Sequence, residues 1–507
     1  MNYDWIKTRA DYDEVKAAVI DPYKGTEWSY QDLNIRAENL ANYLQDQGIK
    51  RGDVVGVFAP NDVAILDVLF AAFKMGAVYM PMNWRLKPQE IESVVSDSEV
   101  KMIFYASNHL ESLKSVSGEL IHMDIDSPEY DEIVHPKNHR PFKSVDVESD
   151  ELAALMYSSG TTGMPKGVMF TYDSFVSNVI NTALTYKINS GYTTIISTPM
   201  FHVLGFNDTA LPLIMAGGTM IIQRYFDGKE LNEMMAEYEP DYLILIPTMY
   251  YGMLVAENFD IKNFKNIEFL IQGGSAPLPA VQEKFQSMGY TIINGYGLTE
   301  APLAMVNTPA NALEKPMSIG KPVMYVDVRL FDEDLNEVQP GEIGELAVKG
   351  KNATPGYWKK PELTKESFKD GYFLTGDLAK IDEDGDLFIV DRKKELIITG
   401  GENVLPSEVE TVLSEHPLVA QCVVVGYDSP KFGESVSAAV VLKETDSEFE
   451  SKLDAHMRER LAGYKTPKLY LKLSEVPLTS TVKPDKLEIQ RQMNQKAQDE
   501  NQEDELA

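Results

Sequence analysis

Short apolar runs alternate with longer amphipathic ones through much of the chain. VVGVFA, from Val54, reads as a buried strand; DVAILDVLFAAFKMG spaces its apolar side chains for a helix; AVYMPM, ending at Met82, reads as a second strand. The same alternation returns from about Thr193 to Gly274, where TTIIST, LPLIMAG, TMIIQ, LNEMMAEYE, YLILIP and IEFLIQGG switch between strand and helix periods. Strands separated by helices need crossover connections, so the pattern predicts doubly wound α/β sheets with mainly parallel strands. The spacing is irregular, and no solenoid period runs through it.

After Val323 the texture changes. YVDVRLFDEDLNEVQPGEIGELAVKG has shorter apolar runs punctuated by Asp334, Pro340 and Gly341, which predicts a β-rich subdomain. A further shift follows DGDLFIVDRKKELIITGGENV. In PSEVETVL the spacing of Ser407 and Glu410 predicts a capping box at a helix start. QCVVVGY and SVSAAVVLK read as a strand pair, and Phe449, Leu453, Met457 and Leu461 recur every fourth residue, so a helix can lay that stripe on a small sheet. The tail QKAQDENQEDELA is polar, acidic and aperiodic, which predicts disorder.

At 507 residues the chain is long enough for about three average domains, or for one large α/β body with a smaller appendage. Lys and Arg total 47 against 78 Asp and Glu, a net charge of −31. Such a field repels nucleic acid and anionic lipid, so nucleic-acid binding is the least favoured class. Anionic ligands must be held by local lysines, arginines, metal and backbone amides. The N-terminus MNYDWIKTRADYDE lacks the basic start and apolar core of a secretory signal. AILDVLFAAFKMGAVYMPM is broken by Asp67, Lys74 and Gly76 and reads as a buried helix and strand, not a membrane span. The lone Cys422, in VAQCVVVGY, has no disulfide partner and reads as structural, which fits a reducing cytoplasm.

The stretch richest in chemistry is YSSGTTGMPKG, Tyr157 to Gly167, which follows the apolar run ELAALM. Its hydroxyls and glycines can wrap a phosphate chain, with Lys166 as a point charge. It departs from a Walker motif, because Met164 follows Gly163 and Gly167 stands where a metal-binding hydroxyl would be needed. The order of residues resembles instead the signature loop of the adenylate-forming superfamily of acyl-CoA synthetases, firefly-type luciferases and peptide-synthetase adenylation domains. NGYGLTE (Asn294 to Glu300), YFLTGD (Tyr372 to Asp377), DRKKELIITGGENV (Asp391 to Val404) and PLTSTVKPDK (Pro477 to Lys486) match the same superfamily in its order. Any one would be weak; together they make the resemblance strong, closest to bacterial fatty-acid or aryl-acid CoA ligases.

The resemblance implies ATP, Mg²⁺ and coenzyme A as co-substrates and cofactor, and a small carboxylic acid as substrate. It implies an adenylation domain over 1–393, a C-terminal lid of small α+β build over 394–490 that carries the catalytic lysine, and the acidic tail over 491–507. Ser158, Ser159, Gly160, Thr161, Thr162, Gly163 and Lys166 would hold phosphates, with Thr161 and Glu300 toward Mg²⁺ and Thr299 on the α-phosphate. Gly274, Ser275 and Ala276 in QGGSAP, with Gly295, Tyr296 and Gly297, would form the wall beside adenine and the acyl group. Asp377 would take the ribose hydroxyls with Arg392 as its partner, Lys394 would be the pivot, and Gly400, Gly401 and Glu402 would lead the thiol to the adenylate.

Acyl specificity is expected around PMFHVLGFND. The aspartate that pairs a substrate α-amine in amino-acid-activating relatives is replaced by His202, beside Phe201, Val203, Leu204 and Phe206. An unpaired ammonium there would be costly, so acids without an α-amino group are expected, with His202 as a candidate gate and Asp208 the residue to suspect otherwise. The family's glycine before the catalytic lysine is Val482 here, and Pro484 follows Lys483, so Lys486 is its rival for the role. The reading is a cytoplasmic, AMP-forming acid:CoA ligase, first for medium- or long-chain fatty acids and next for aryl or o-succinylbenzoate-type acids. Transfer to a carrier protein and a catalytically silent nucleotide-binding relative are the rivals. A homodimer is compatible with the chain, whose sequence does not set the oligomeric state.

Overall fold

The computed structural model describes residues 3–113, 116, 120–158, 165–399, 402–429, 433–479 and 483–506 of the 507. These fall into two compact units: Met1–Arg329 with Ala347–Thr375 and Asp382–Phe388 form the first, and Leu330–Leu346, Gly376–Ile381 and Ile389–Ala507 the second.

In the first unit the expected strand-helix-strand alternation is present. One sheet, six-stranded among the described residues, orders Ile121–Asp124, Met102–Tyr105, Val54–Phe58, Val78–Pro81, Leu152–Ser158 and Lys166–Thr171. Neighbours are parallel except the last pair, Leu152–Ser158 with Lys166–Thr171. Helix Ala64–Met75 is buried on every side, as its apolar circumference requires. The charges that interrupt that run are paired inside the protein. Asp67 accepts from Arg36 Nε at 2.9 Å and Nη2 at 2.6 Å, and Lys74 Nζ donates to Asp4 at 2.7 Å and to Asn34 Oδ1 at 2.8 Å.

The second sheet of this unit, nine-stranded among the described residues, has a parallel centre. Ile292–Leu298, Phe269–Gln272, Tyr242–Leu245, Thr193–Ile196, Thr219–Ile222 and Ala17–Asp21 follow one another in parallel. Antiparallel strands close both sides: Thr26–Ser29 at one end, Ala301–Val306 and then Lys321–Pro322 at the other. The expected short strands after Val323 are found at Val326–Phe331, Gly344–Gly350, Tyr372–Ile381 and Leu387–Arg392.

In the second unit Val419–Ser429 pairs antiparallel with Gly433–Leu442, which pairs parallel with Leu469–Leu473 and antiparallel with Ile397–Thr399. The run VVV is continuously apolar because the sheet is covered on both faces. Val424 and Val440 meet Leu453 and Met457 on one side, while Val423 and Val425 meet Ile489 and Met493 on the other. The fourfold stripe of helix Phe449–Arg460 therefore packs as expected, with Phe449 and Leu461 at its margins.

Two expectations are corrected here. Ser407 is not a helix cap: helix Pro406–Ser414 begins after Leu405 with no side-chain cap of its own. The Ser407 amide instead donates to Asp391 Oδ2 at 3.0 Å and its hydroxyl to Val390 O at 2.8 Å, while Glu410 Oε1 accepts from Val424 N. The tail is not disordered but continues helix Lys486–Leu506. Within that helix Ile489, Met493 and Ala497 bury a narrow stripe on the sheet. Cys422 is half-buried with no disulfide partner, its thiol pushed up to about 12 by burial and then by Glu410.

Candidate active site

Parallel strands Tyr242–Leu245, Phe269–Gln272 and Ile292–Leu298 bring their carboxyl ends side by side, the edge at which open α/β sheets hold ligands. Ile244, Ile271, Gln272, Gly273, Gly274, Gly295, Tyr296 and Gly297 from this edge line a cavity of about 60 Å³. Glycine is required where the strands crowd: a Cβ on Gly273 would lie 2.9 Å from Gly295 O, and Gly274 has φ +76°. Ser275 and Ala276 follow at the surface. Of the expected wall, Gly274, Gly295, Tyr296 and Gly297 are brought together on this cavity, and Ser275 and Ala276 lie beside it in sequence.

The expected acyl segment supplies the opposite wall, through two of the residues foreseen. Val203 and Leu204 line the cavity, whereas Phe206 is fully buried against Tyr79 and Phe175 in the core. Phe201 packs edge-on to Trp84, with the half-buried His202 beside it at 4.3 Å between ring centres. Phe206–Ala210 forms a π-helical turn, in which Asp208 N donates to Val203 O at 2.8 Å and Ala210 N to Gly205 O at 3.2 Å. This wide turn carries Asp208 onto the cavity, closed further by Tyr186 and Leu303. Asp208 is 6 % exposed. Its Oδ1 accepts from Asn178 Nδ2 at 2.7 Å, and the carboxyl also accepts from the Leu303 amide. Burial pushes its pKa up to about 7 against the pull of those two hydrogen bonds.

The phosphate-binding candidates belong to the same unit. Strand Leu152–Ser158 leads into the glycine-rich loop and Lys166–Thr171 returns from it, with Ser158 opposite Lys166. Ser159, Gly160, Thr161, Thr162 and Gly163 lie outside the described residues. Thr299 and Glu300 form the turn between antiparallel strands Ile292–Leu298 and Ala301–Val306. Glu300 Oε1 accepts from Ser158 Oγ at 3.2 Å and from Tyr357 OH at 3.0 Å. Its other carboxylate oxygen has no partner among the described residues, so Glu300 fits a hard divalent ion such as Mg²⁺. Lys166 Nζ lies 5.6 Å from the centre of the Tyr357 ring. The sequence reading missed Tyr357, whose segment KNATPGYWKK offers only a turn followed by an aromatic pair.

A second acidic group among the described residues has the spacing of a metal site, but a lysine ammonium already sits among its carboxylates. Asp382, Asp384 and Asp386 converge on Lys315 Nζ at 2.6, 2.7 and 2.9 Å.

In the second unit Arg392 Nε donates to Asp377 Oδ1 at 2.5 Å, so the expected partners are a pair. Lys394 occupies the single 3₁₀ turn Lys393–Glu395, and Lys393 is bound to Glu345 at 2.8 Å. Glu402 begins the strand Glu402–Val404, which returns on Ile397–Thr399; Gly400 and Gly401 between them lie outside the described residues. Lys483 stands in a hairpin in which Thr479 N donates to Lys483 O at 2.7 Å and Lys483 N donates to Thr479 Oγ1 at 3.2 Å. Its ammonium makes no ion pair among the described residues. Although the side chain reaches the surface, desolvation lowers its pKa from the ordinary lysine value, and Arg392 adds to the effect. Lys486, the first residue of the last helix, is bound to Glu395 at 2.8 Å, with Glu410 at 3.7 Å. Desolvation works against that ammonium, but Glu410 and Glu395 outweigh it and hold its pKa above the ordinary value.

An apolar cavity at the carboxyl edge of a parallel sheet, with Glu300 bound to Ser158 where the glycine-rich segment begins, suits an enzyme that activates carboxylic acids with a nucleotide. The chain belongs to the AMP-binding enzyme family, whose model matches residues 6–358, and the model of the AMP-binding enzyme C-terminal domain matches residues 408–483. It is 34 % identical to a feruloyl-CoA synthase of Amycolatopsis sp. over 92 % of this chain and 94 % of that protein. It is 32 % identical to a long-chain-fatty-acid–CoA ligase of Escherichia coli O157:H7 over 90 % of this chain and 89 % of the other. ATP-bound MatB of Rhodopseudomonas palustris has a similar structure, with TM-score 0.90, 28 % identity, and coverage of 97 % of this chain and 99 % of that one. The protein is an AMP-forming acid:CoA ligase. Among the described residues no helix is long and apolar enough to cross a membrane.

Proposed function

We propose that the acid activated by this ligase is a compact aryl acid rather than a long-chain fatty acid. The observation that carries this is the small size of the cavity, about 60 Å³, with Tyr186 and the carboxyl of Asp208 in its lining. A dry cavity of about 150 Å³ holds benzene, so even one ring must displace side chains here, and an extended alkyl chain would have to drive its apolar end against a buried carboxyl. The feruloyl-CoA synthase relative is in keeping with an aryl acid.

In the first half-reaction a carboxylate oxygen of the acid attacks the α-phosphorus of ATP, and the bond to the departing pyrophosphate breaks. In the second the thiol of coenzyme A loses its proton, its sulfur bonds to the acyl carbon, and AMP leaves. Glu300, with Thr161 as the resemblance implies, would hold Mg²⁺, which would supply charge neutralisation for the phosphates. Ser158, Lys166 and the loop 159–164 hold the phosphate chain, and Thr299 the α-phosphate. Tyr357 and Ser158 orient Glu300 through their hydrogen bonds to Oε1. Asp377, kept in place by Arg392, takes the ribose hydroxyls. Lys483 bridges the acid and the α-phosphate during adenylation, because its ammonium is uncommitted while that of Lys486 is not. Lys394 is the pivot on which the 394–490 domain turns between half-reactions, bringing Gly400, Gly401 and Glu402 to the thiol path. His202 gates the acyl site, and the enzyme works in the cytoplasm.

ATP–pyrophosphate exchange across a panel of phenylpropenoic, benzoic, o-succinylbenzoic, octanoic, palmitic and α-amino acids tests the substrate reading. Exchange is expected with aryl acids at least tenfold above that with palmitate, and none with amino acids. Palmitate outrunning every aryl acid would refute it.

A further inference from the structure

We infer that Asp208 is a specificity-determining residue, which receives a hydrogen-bond donor, a hydroxyl or an N–H, carried at the far end of the acyl group. The inference rests on the reading that the cavity beside Val203 and Leu204 takes the acyl group.

Apart from the phenols of Tyr186 and Tyr296, the polar side chains that line the cavity are two acceptors with capacity to spare. Asp208 is 6 % exposed, and no lysine or arginine pairs with it among the described residues. A carboxylate has about four acceptor positions, and the protein uses two of them, through Asn178 Nδ2 and the Leu303 amide. Gln272 lines the same cavity and is 1 % exposed. Its Nε2 donates to Asn294 Oδ1 at 2.9 Å, while its Oε1 is buried with no partner among the described residues. Buried acceptors left unmade are costly, and both of these border the space that the acyl tail would fill. Neither acceptor receives a further donor from the described side chains around the cavity, the Tyr186 phenol included. A purely hydrocarbon tail would cover Asp208 and Gln272 without satisfying either. A tail ending in a hydroxyl or N–H would satisfy the carboxyl that the π-helical turn 206–210 places there.

Among the titratable groups lining the cavity with Asp208 are Tyr186 and Tyr296, and burial holds the Tyr186 phenol neutral well above the ordinary range. Helix Tyr172–Thr185 and strand Ala301–Val306 contribute the uncharged Asn178 and the Leu303 amide. The acceptor state of Asp208 consequently fills as pH rises through about 7. Below that the carboxyl keeps its own proton and competes with the ligand's donor.

The test is kcat/KM for matched pairs that differ in one hydroxyl, 3-phenylpropenoic against 3-(4-hydroxyphenyl)propenoic acid and octanoic against 8-hydroxyoctanoic acid, from pH 6 to 8. The hydroxylated member should be preferred by roughly tenfold to a hundredfold in whichever pair the enzyme uses, with the preference rising with pH. Asp208→Leu should bring the ratio to about one or below, whatever happens to absolute rates. Asp208→Asn preserves shape, so it should fold even if the leucine variant does not; it should keep part of the preference and lose its pH dependence. A wild-type ratio of one or less, or a ratio and pH profile unchanged in Asp208→Asn, would overturn the assignment. Use of the octanoic pair alone would sink the aryl reading yet still decide the role of Asp208.

Discussion

Replacing Lys483 or Lys486 by alanine should separate catalysis from stability, because the structure gives the two ammonium groups opposite surroundings. At an effective dielectric of about 20, an ammonium 4 Å from one unit of negative charge gains about 4 kcal/mol. A lysine bridging the acid and the α-phosphate would keep most of that in a water-poor transition state, typically about 3 kcal/mol. Lys483→Ala should therefore slow adenylate formation by about a hundredfold or more, while pre-formed acyl-adenylate still passes to coenzyme A at near the normal rate. Since Lys483 forms no ion pair among the described residues, folding stability should change by no more than about 0.5 kcal/mol. Lys486→Ala removes the 2.8 Å contact to Glu395 and leaves Glu410, whose carboxyl burial already raises above its usual pKa, without its nearest cation. Removing one partner from such a half-buried network should cost about 1–2 kcal/mol, a lowering of the melting temperature by about 2–8 °C. Single-turnover adenylation, thioester formation from supplied adenylate, and thermal unfolding together read all three quantities. A selective adenylation defect in Lys486→Ala with none in Lys483→Ala would reverse the assignment; a normal adenylation rate in both would refute a lysine role for this hairpin.

The 3₁₀ turn at Lys394 and the buried Asp208 give two more expectations. Proline at 394 fixes its own φ and drives Lys393 out of the helical region, so Lys394→Pro should retain adenylation and lose most thioester formation. Equal loss of both half-reactions in a folded variant would contradict the pivot. For Asp208 the sign runs against the usual carboxylate: its folded pKa of about 7 lies above the ordinary 3.8, so the folded state holds the extra proton and stability falls as pH rises from about 4 to 7. Asp208→Asn should consequently be more stable than wild type at pH 8, by up to about 4 kcal/mol, and lose that advantage by pH 4; equal pH dependence of unfolding in the two proteins would show that Asp208 is not buried as a carboxylate.

The parallel sheets were legible because period and length settle the matter locally: short runs such as the β-branched TTII and the apolar YLIL are too short and too uniform for surface helices, and helix Ala64–Met75 is too apolar to lie outside. Glu300, Asp377 and Arg392 could be singled out as candidates because their neighbours form ordered motifs. Asp208 was noticed in the sequence, but its position on the cavity depends on a π-helical turn that no residue pattern announces. Tyr357 meets Glu300 only through contacts 57 residues apart. Ser407 had the spacing of a capping box, yet Asp391, from an earlier strand, took its amide. The acidic tail misled for a related reason: Ile489, Met493 and Ala497 are few, and only the finished sheet gives them something to cover. Local composition was overruled in both places by tertiary partners.

The central claim, carboxylate activation followed by transfer to coenzyme A, is tested most directly by one reaction mixture of enzyme, ATP, Mg²⁺, coenzyme A and 3-(4-hydroxyphenyl)propenoic acid, resolved by mass. The account predicts the aryl-CoA thioester and AMP in equal amounts, with an acyl-adenylate accumulating when coenzyme A is left out. ADP in place of AMP, or bound ATP left intact with this acid and with octanoic acid alike, would contradict it.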